Sequence, residues 1–368
     1  MEKLLVFGGT FDPPHKGHQH LLNEAMKQAE FDKVLLIPAF IPPHKSHNPA
    51  LSFEARRGIL ADYFKEIKNL EISDIEQRRG GRSYTVDTVA ALKEKFPQAE
   101  IYFLIGSDMF LSFETWREYE RLLKEIYLVV GSRESGDAER LSAHKKRLEK
   151  AYECKGIILC KMEAVECASS VLRAQGGGLA ERALAHIGKE LSLSRARHTM
   201  QVAEYARALA EKCGVDPQKA WLAGLLHDCT KCRPHDWQIE YLNAHGYSLS
   251  DADLASPQIL HQYSGAIFAK EELGAKDPEI LSAIECHTTG KEEMSPLDML
   301  LFFADSCEPS RDYPDVELLR QKGEQDLKKG VLALLDHTAA YLKSKNLSMH
   351  PQSARARMSI LKELEKNG

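Results

Sequence analysis

The first strand of the fold and the turn that follows it lie in residues 4–18, which read LLVFGGTFDPPHKGH. The leading apolar residues favour a buried strand, and the two glycines let the backbone turn sharply and approach a ligand closely. The two prolines keep the next residues extended, so a helix can begin only near His15. We therefore predict that His15 and His18 lie in the first turn of a helix, where free N–H groups and the helix dipole favour an anion.

The first half of the chain alternates strand and helix patterns. Short apolar runs predict strands, and helical periodicity lies between them, with Thr85 as the expected N-cap of one helix. The predicted strands are 3–9, 33–40, 70–76, 100–108 and 125–133, and the predicted helices are 18–29, 54–67 and 85–96. This alternation predicts a Rossmann-like α/β domain with a parallel sheet, in which ligands bind beyond the carboxyl ends of the strands.

The pattern changes after residues 169–178, where three consecutive glycines predict a flexible break. Beyond residue 180 we find no convincing strand pattern, and helical patterns follow one another. They lie at 180–191, 196–212, 217–230, 257–273, 277–287, 295–305, 315–344 and 352–366. The sequence therefore predicts two domains, an α/β domain over 1–178 and an all-α domain over 179–368.

The composition is that of an ordinary globular protein. Apolar residues make up 43% and charged residues 28%, and the net charge of −5 implies no nucleic-acid partner. No run of 18 apolar residues occurs, and the apolar run at the N-terminus is too short for a signal peptide, so we expect a cytoplasmic protein without a membrane partner. The eight scattered cysteines indicate reduced thiols. Homo-oligomer formation stays open.

The residues after the glycine turn suit nucleotidyl transfer. Imidazoles at a helix start can donate hydrogen bonds to phosphoryl oxygens, which makes His15 and His18 the catalytic candidates. In such a reaction the phosphate of the incoming substrate attacks the α-phosphate of a nucleoside triphosphate. The protein supplies positioning and charge stabilisation, and it needs no serine or cysteine nucleophile.

Five segments resemble a known enzyme family. The string GGTFDPPHKGH resembles the signature of nucleotidyltransferases that share an (H/T)xGH element, here HKGH. The other segments look like those of the bacterial nicotinate-mononucleotide adenylyltransferases: IPPHK (41–45), RSYTVDTV (82–89), IGSDMFLSFETW (105–116) and ASSVLR (168–173). The resemblance covers about residues 1–175. It implies transfer of the adenylyl group of ATP to nicotinate mononucleotide, with Mg²⁺, giving deamido-NAD and pyrophosphate.

The same resemblance implies which residues bind the substrates. ATP would be bound by Gly8, Gly9, Thr10, Phe11, His15, His18, Asp108, Ser169 and Arg173. Nicotinate mononucleotide would be bound by Lys45, Thr85 and Trp116, with the indole stacked on the pyridine ring, and Arg56 is a further candidate for a phosphate contact. The segment ASSVLR departs from the family's usual SSTxIR but keeps a hydroxyl at Ser170. A pantetheine-phosphate or cytidylyl enzyme is the alternative, against which SYTVDT and the Trp116 segment argue.

The second half contains a series of histidines and aspartates on predicted helices. His227 and Asp228 end the apolar stretch AWLAGLL, where burial costs on the order of several kcal/mol unless these groups are paired or bind a metal. Imidazoles and carboxylates together suit Mn, Fe or Zn. Six such groups suffice for two ions, with Asp228 able to bridge them: His198, His227, Asp228, His261, His287 and Asp305. Two ions could bind a hydroxide and a phosphoryl group that undergoes hydrolysis.

This ordered set resembles the HD-domain metal-dependent phosphohydrolases. The strings LLHDCTK (225–231), HTTG (287–290) and ADSCEPSR (304–311) are similar to those of the bacterial YqeK family, which hydrolyses diadenosine tetraphosphate symmetrically to two ADP. The resemblance covers about residues 185–345 and implies a di-metal centre, with iron as the metal, held by these six residues. It also implies Asp228 as a catalytic residue, Lys231 and Arg311 at the substrate phosphates, and a dinucleoside polyphosphate as substrate. Hydrolysis of another nucleotide and a non-catalytic nucleotide-binding regulatory module stay open.

Overall fold

A computed structural model describes residues 2–43, 49, 51–131, 137–160 and 169–367. The chain divides into two compact units, Met1–Val171 and Leu172–Gly368. Within the described ranges no helix is both long enough and apolar enough to cross a bilayer.

A six-stranded parallel sheet forms the centre of the first unit, with the strand order β3-β2-β1-β4-β5-β6. The strands are β1 (Lys3–Gly9), β2 (Lys33–Pro38), β3 (Leu70–Ile72), β4 (Glu100–Gly106), β5 (Tyr127–Gly131) and β6 (Gly156–Cys160). The strand order reverses between β1 and β4, and a crevice opens at the carboxyl ends of strands where the order reverses. The predicted α/β fold is confirmed, and β6 is an edge strand that the sequence analysis missed.

Helices cover both faces of this sheet. They are α1 (Lys16–Met26), α2 (Phe53–Tyr63), α3 (Ile75–Arg79), α4 (Thr85–Lys95), α5 (Ser107–Leu111), α6 (Tyr119–Glu125) and α7 (Asp137–Ala151). Because side chains alternate along a strand, Leu4 and Val6 of β1 pack with α4, α5, α6 and α7 on one face. Leu5 and Phe7 pack with α1 and α2 on the other face. Both faces of the strands are therefore buried, as parallel sheets require.

The helix α8 (Ser169–Glu190) contains the division between the two units. It runs through the three glycines at 176–178, so the predicted flexible break there is wrong. A glycine inside a helix costs about 1 kcal/mol, but good helix formers on both sides can propagate the helix through it. The two compact units meet at residues 171 and 172, and the expected domain limits 1–178 and 179–368 stay a prediction.

The second unit consists of helices in the part of the chain that the structure describes. They are α9 (Leu193–Ala210), α10 (Pro217–Leu226), α11 (His235–Ala244), α12 (Asp251–Leu254), α13 (Leu260–Glu271), α14 (Pro278–Cys286), α15 (Pro296–Cys307), α16 (Val316–Gln325), α17 (Leu327–Ser344) and α18 (Pro351–Asn367). The predicted all-α fold is confirmed. One predicted helix, 315–344, is in fact two, because Asp326 accepts a hydrogen bond from Lys329 N at 3.1 Å and caps α17.

Candidate active sites

In the first unit the candidate site is a crevice at the carboxyl ends of β1 and β4. Gly8 and Gly9 end β1, and Gly106 ends β4 directly before the short helix α5. A Cβ on Gly8 would lie 3.0 Å from the ring of Phe103, and a Cβ on Gly9 would lie 3.1 Å from the ring of Phe11. A side chain at either position would therefore force the neighbouring aromatic ring to move.

His15 and His18 form the entry to α1, as predicted. His15 is the N-cap of the helix and is buried, and its backbone N–H donates to Nδ1 of His18 at 3.2 Å. The two imidazole rings lie with their centroids 3.7 Å apart. Because Nδ1 of His18 accepts a hydrogen bond, the neutral imidazole carries its proton on Nε2. The fold thus fixes the tautomer of His18 as an Nε2 donor, which is the form that can bind a phosphoryl oxygen.

Two residues that were expected near the phosphates, Phe11 and Arg56, also support the glycine turn and His18. The ring of Phe11 is buried and packs edge-on against the His18 ring with centroids 4.9 Å apart, so this side chain helps to hold the histidine in place. Arg56 is only 1% exposed, and its guanidinium donates to Thr10 O at 2.7 Å, Ala39 O at 2.8 Å and Leu51 O at 3.2 Å. Burial lowers the pKa of Arg56 to about 10. These contacts indicate that Arg56 holds the chain around the glycine turn, and its expected contact with a phosphate stays a prediction.

The residues expected at the pyridine nucleotide lie on two neighbouring segments. Trp116 is half-buried, and its ring packs against Phe113 with centroids 4.9 Å apart. It lines an open cavity of about 590 Å³. The next residue, Arg117, places its guanidinium 5.0 Å from the ring centre of Tyr84. Tyr84, rather than Thr85, is the N-cap of α4, and Thr85 is the first helical residue.

The remaining expected residues of this unit are placed in part. Asp108 is exposed in the first turn of α5, immediately beyond the end of β4. Ser169 begins α8 and Arg173 lies in its second turn, and their side chains lie outside the described part of the structure. Lys45 also lies outside the described residues.

In the second unit, three helices begin in the same way and have a candidate metal ligand at or near the C-terminal end. Each begins with a capping Asp or Ser followed by proline, at Asp216–Pro217, Asp277–Pro278 and Ser295–Pro296. Proline suits the first helical position, where its missing N–H costs no hydrogen bond. The helices α10 and α14 end at His227 and His287 as C-caps, and α15 carries Asp305 in its last turn.

The close packing of α9 on α10 brings two further elements of the cluster together. A Cβ on Gly224 would lie 2.4 Å from the backbone Cα of Ala203, so only glycine permits this approach. The rings of His198 on α9 and His227 at the end of α10 lie with centroids 5.5 Å apart. The glycine therefore sets the distance between two candidate ligands that are 29 positions apart in the sequence.

All six predicted ligands converge on one cluster with Asp228 at its centre. His198 Nε2 lies 2.8 Å from Asp305 Oδ1, and His227 Nε2 lies 3.4 Å from Asp228 Oδ2. On the other side, Asp228 Oδ1 lies 3.3 Å from His261 Nε2 and 3.8 Å from His287 Nε2. The two oxygens of Asp228 therefore face different halves of the cluster.

Three of the histidines are oriented by one repeated contact. In each case Nδ1 donates to the backbone carbonyl three residues earlier: His227 to Gly224 at 2.7 Å, His261 to Gln258 at 2.9 Å and His287 to Ile284 at 2.7 Å. Their Nε2 atoms thus carry lone pairs. His261 Nε2 and His287 Nε2 are only 3.0 Å apart, and the buried Nε2 of His227 has no hydrogen-bond partner among the described atoms. Converging lone pairs of imidazole with carboxylates fit divalent transition metal ions.

The charges of the cluster match this interpretation. Burial favours a neutral Asp228, but the attraction between its carboxylate and the imidazoles of His227, His287 and His261 outweighs burial and holds the pKa of Asp228 well below the ordinary value. Burial lowers the pKa of His261 well below its ordinary value, which keeps this imidazole neutral and able to bind a cation. Burial also lowers the pKa of Lys231, despite the nearby carboxylates.

Three cationic side chains contact the cluster. The predicted phosphate contacts lie here: Lys231 Nζ is 3.3 Å from His261 Nε2, and Arg311 Nη2 donates to Asp305 Oδ1 at 3.1 Å. The sequence analysis did not identify a third cation, Arg195, whose Nη1 donates to Asp228 Oδ2 at 2.7 Å. The motif RARH contains this arginine three positions before His198, which places both residues on one face of α9.

Glu308 is a second residue that the sequence analysis missed. It is 1% exposed and accepts a hydrogen bond from His198 Nδ1 at 3.2 Å. Burial raises the pKa of Glu308, but hydrogen bonds from His198 and Ser310 outweigh it and leave the pKa below its usual value. The seven described cysteines are free thiols. In the stretch CTKC (229–232), Cys229 is buried and Cys232 is exposed.

Comparisons with known proteins match each unit separately and also match the whole chain. Residues 6–172 match the family described as cytidylyltransferase-like, and residues 195–310 match the HD domain. A probable nicotinate-nucleotide adenylyltransferase/Ap4A hydrolase of Mycoplasma genitalium is 26% identical over 360 residues, which cover 93% of this chain and 99% of that protein.

Single-domain relatives match each unit more closely. A probable nicotinate-nucleotide adenylyltransferase of Clostridium novyi is 32% identical over 173 residues, which cover 47% of this chain and 86% of that protein. A symmetrical bis(5′-nucleosyl)-tetraphosphatase of Halalkalibacterium halodurans is 35% identical over 182 residues, which cover 50% of this chain and 97% of that protein. The chain therefore belongs to the nicotinate-nucleotide adenylyltransferase family through its α/β unit and to the symmetrical bis(5′-nucleosyl)-tetraphosphatases of the HD-domain class through its helical unit.

Proposed function

We propose that this protein is a bifunctional enzyme of dinucleotide metabolism. The α/β unit transfers the adenylyl group of ATP to nicotinate mononucleotide, giving deamido-NAD and pyrophosphate. The helical unit hydrolyses diadenosine tetraphosphate symmetrically to two ADP. The observation that carries the second activity is the position of Asp228 between two groups of histidines, each facing one of its carboxylate oxygens.

In the transferase the protein acts by positioning and charge. His18, held with its proton on Nε2, donates to an oxygen of the triphosphate, and the N-terminus of α1 adds further N–H groups. His15 fixes the position of His18 through its backbone N–H. Trp116 would stack on the pyridine ring, and Thr85 at the start of α4 would contact the pyridine carboxylate. Mg²⁺ bound to the triphosphate would neutralise part of its charge.

We further propose that Lys45, Ser169 and Arg173 complete the transferase site. Each follows from its place in a sequence segment that resembles the adenylyltransferases. Ser169 at the first position of α8 would meet a phosphate at a helix start, where N–H groups are free. Asp108, exposed at the end of β4, would contact the adenosine ribose.

In the hydrolase the residues form two adjacent groups of ligands. His198, His227, Asp305 and Asp228 Oδ2 would hold one divalent ion, and His261, His287 and Asp228 Oδ1 would hold a second. When bound, such a pair supplies a hydroxide at neutral pH and neutralises phosphoryl charge. We propose iron as the native metal. Carbonyl contacts at Nδ1 keep the histidines in the ligating tautomer before any ion binds.

Three cations of the helical unit fit a polyphosphate chain. Arg195, Lys231 and Arg311 each contact a candidate ligand, and Arg195 and Arg311 are part-exposed, with side chains 29% and 37% accessible. When Asp228 and Asp305 bind metal, Arg195 and Arg311 are released from these carboxylates, and all three cations can bind phosphate oxygens. Three positive charges beside the cluster would suit a substrate with several consecutive phosphates.

The test is to purify the protein without oxygen, to quantify bound metal and to separate the products of two assays. Two metal ions per chain and ADP as sole product from diadenosine tetraphosphate would support the hydrolase. AMP with ATP as products would contradict symmetrical cleavage, and metal without turnover would favour an HD hydrolase of another substrate or a regulatory module. Incubation of ATP with nicotinate mononucleotide, nicotinamide mononucleotide or phosphopantetheine as the acceptor tests the transferase.

A further inference from the structure

The segment 308–311, which follows the candidate ligand Asp305, holds a buried carboxylate against His198. Glu308 ends α15 in an extended conformation, at φ −57° and ψ 155°, and Pro309 prevents the helix from continuing. The turn carries the Glu308 side chain back to α9, where Oε1 accepts a hydrogen bond from His198 Nδ1 at 3.2 Å. The contact joins residues 110 positions apart in the sequence.

The carboxylate of Glu308 is itself fixed on both oxygens. Ser310 Oγ donates to Oε1 at 2.6 Å, and Ser310 N donates to Oε2 at 2.6 Å. The backbone of this turn is held from α16, because the Arg320 guanidinium donates to the carbonyls of Cys307, Glu308 and Arg311. Because both oxygens of the Glu308 carboxylate are held by Ser310, its position is fixed. The hydrogen bond from His198 Nδ1 to this fixed carboxylate therefore sets the orientation of the His198 ring.

Glu308 lies on the far side of the His198 ring from the candidate ligand Asp305. Asp305 Oδ1 is 2.8 Å from Nε2, whereas Glu308 Oε1 is 3.2 Å from Nδ1. A group on Nδ1 acts on the metal only through the imidazole. His227, His261 and His287 use backbone carbonyls at this position, so His198 is the one ligand histidine of the described cluster whose Nδ1 meets a carboxylate.

From these contacts we infer that Glu308 is a positioning residue that fixes the tautomer and orientation of His198 and raises its basicity as a metal ligand. The inference rests on the proposed metal centre and deepens it. A carboxylate behind a ligating histidine typically contributes 10–100-fold, roughly, to metal affinity. The effect should fall on the half of the cluster that contains His198, and the half formed by His261 and His287 should keep its affinity.

The experiment is a titration of the full-length protein with Zn²⁺ against a chromophoric chelator, which measures the two binding steps separately. Glu308→Ala should weaken one of two zinc equivalents by about 10–100-fold and leave the other unchanged. Glu308→Gln should have a smaller effect, because its amide oxygen can still accept hydrogen bonds from His198 Nδ1 and Ser310 Oγ. Its amide nitrogen cannot accept from Ser310 N, so this one hydrogen bond is lost. The order wild type, Gln, Ala in zinc affinity is the expected result.

The matched control is Asp298→Asn, a buried carboxylate at the opposite end of the same helix α15. Asp298 caps α15 through Ser295 and pairs with Lys291 at 2.8 Å, so its loss should lower the melting temperature without changing either zinc step. If Glu308→Ala fails to fold, Glu308→Gln carries the test. Unchanged affinity of both steps in a folded Glu308 variant would overturn the inference alone. A wild-type protein that binds no zinc would overturn the metal centre itself, and this inference with it.

Discussion

His261 Nε2 lies 3.0 Å from His287 Nε2, and each ring donates its Nδ1 hydrogen to the backbone carbonyl three residues earlier. The two Nε2 lone pairs then repel each other unless a cation lies between them. Metal should therefore stabilise the helical unit. At 100 times the dissociation constant, the stabilisation is about 2.7 kcal/mol, which corresponds to about 5–10 °C in the melting temperature of a unit of this size.

Calorimetry of the full-length protein, with chelator and after addition of metal, measures this difference. The transition of the α/β unit is an internal reference that the chelator should not move. His287→Ala removes one of the two lone pairs and should reduce the response of the helical unit to metal. A melting temperature that is the same with chelator and with metal would contradict the proposed centre.

Asp228 should determine how many ions bind. In Asp228→Asn one oxygen becomes an NH₂ group, which cannot bind a metal ion, so one of the two groups of ligands loses its oxygen from residue 228. We expect the metal content to fall from two ions to one or none. Hydrolysis should fall by more than the roughly 100-fold that is typical for groups behind the ligands.

Adenylyl transfer by the same Asp228→Asn protein should stay at the wild-type rate. Asp236→Asn, an exposed position on α11, is the matched control and should change neither metal content nor activity. Full metal content in the Asp228 variant would disprove the role of this carboxylate as a bridge. The measurements are metal analysis by mass spectrometry and separation of the nucleotide products.

The ligand cluster could be predicted because its members follow recognisable local patterns. His227, His287 and Asp305 each come nine or ten residues after a proline that begins a capped helix, and a polar residue at the end of an apolar helix is conspicuous. The crevice of the α/β unit could be predicted for a similar reason. Glycines directly after an apolar strand indicate that the chain turns where ligands bind.

The supporting residues could not be predicted, because their roles depend on partners that are distant in the sequence. Arg56 bonds to Thr10 across 46 positions, and Glu308 bonds to His198 across 110. A single arginine or glutamate on a helix is most often solvated, and no periodicity reveals what lies opposite it in the fold. Arg195 is an exception, since its spacing of three from His198 already places both on one helical face.

His18 can be tested with two substitutions that separate its two nitrogen atoms. Asn at position 18 places an acceptor near Nδ1 and keeps the bond from His15 N, but it lacks a donor at Nε2. Gln places a donor near Nε2. We expect His18→Asn to fold normally and to lose transfer by about 10²–10³-fold, as is typical for one charge-stabilising donor, and His18→Gln to retain more activity.

Hydrolysis of diadenosine tetraphosphate by both His18 variants should equal that of the wild type, which controls for general damage. The rates are measured as pyrophosphate released from ATP with nicotinate mononucleotide. Near-normal transfer by His18→Asn would refute the donor role of this histidine. A loss of equal size in the Asn and Gln variants would point to an effect of His18 on packing against Phe11 rather than on phosphate.

Arg56 should contribute to stability and not to ATP affinity. In Arg56→Met the carbonyls of Thr10, Ala39 and Leu51 would lose their donors in a buried place, and an unsatisfied buried polar group costs about 1–3 kcal/mol. We expect the free energy of unfolding of the α/β unit to fall by about 3 kcal/mol or more.

Arg57→Met is the matched control, because the Arg57 side chain is 46% accessible and lies 3.8 Å from Glu54 in a weak surface pair. Urea unfolding gives the stabilities, and initial rates well below the melting temperature give KM for ATP. A large rise in KM with unchanged stability would instead restore Arg56 as a phosphate contact.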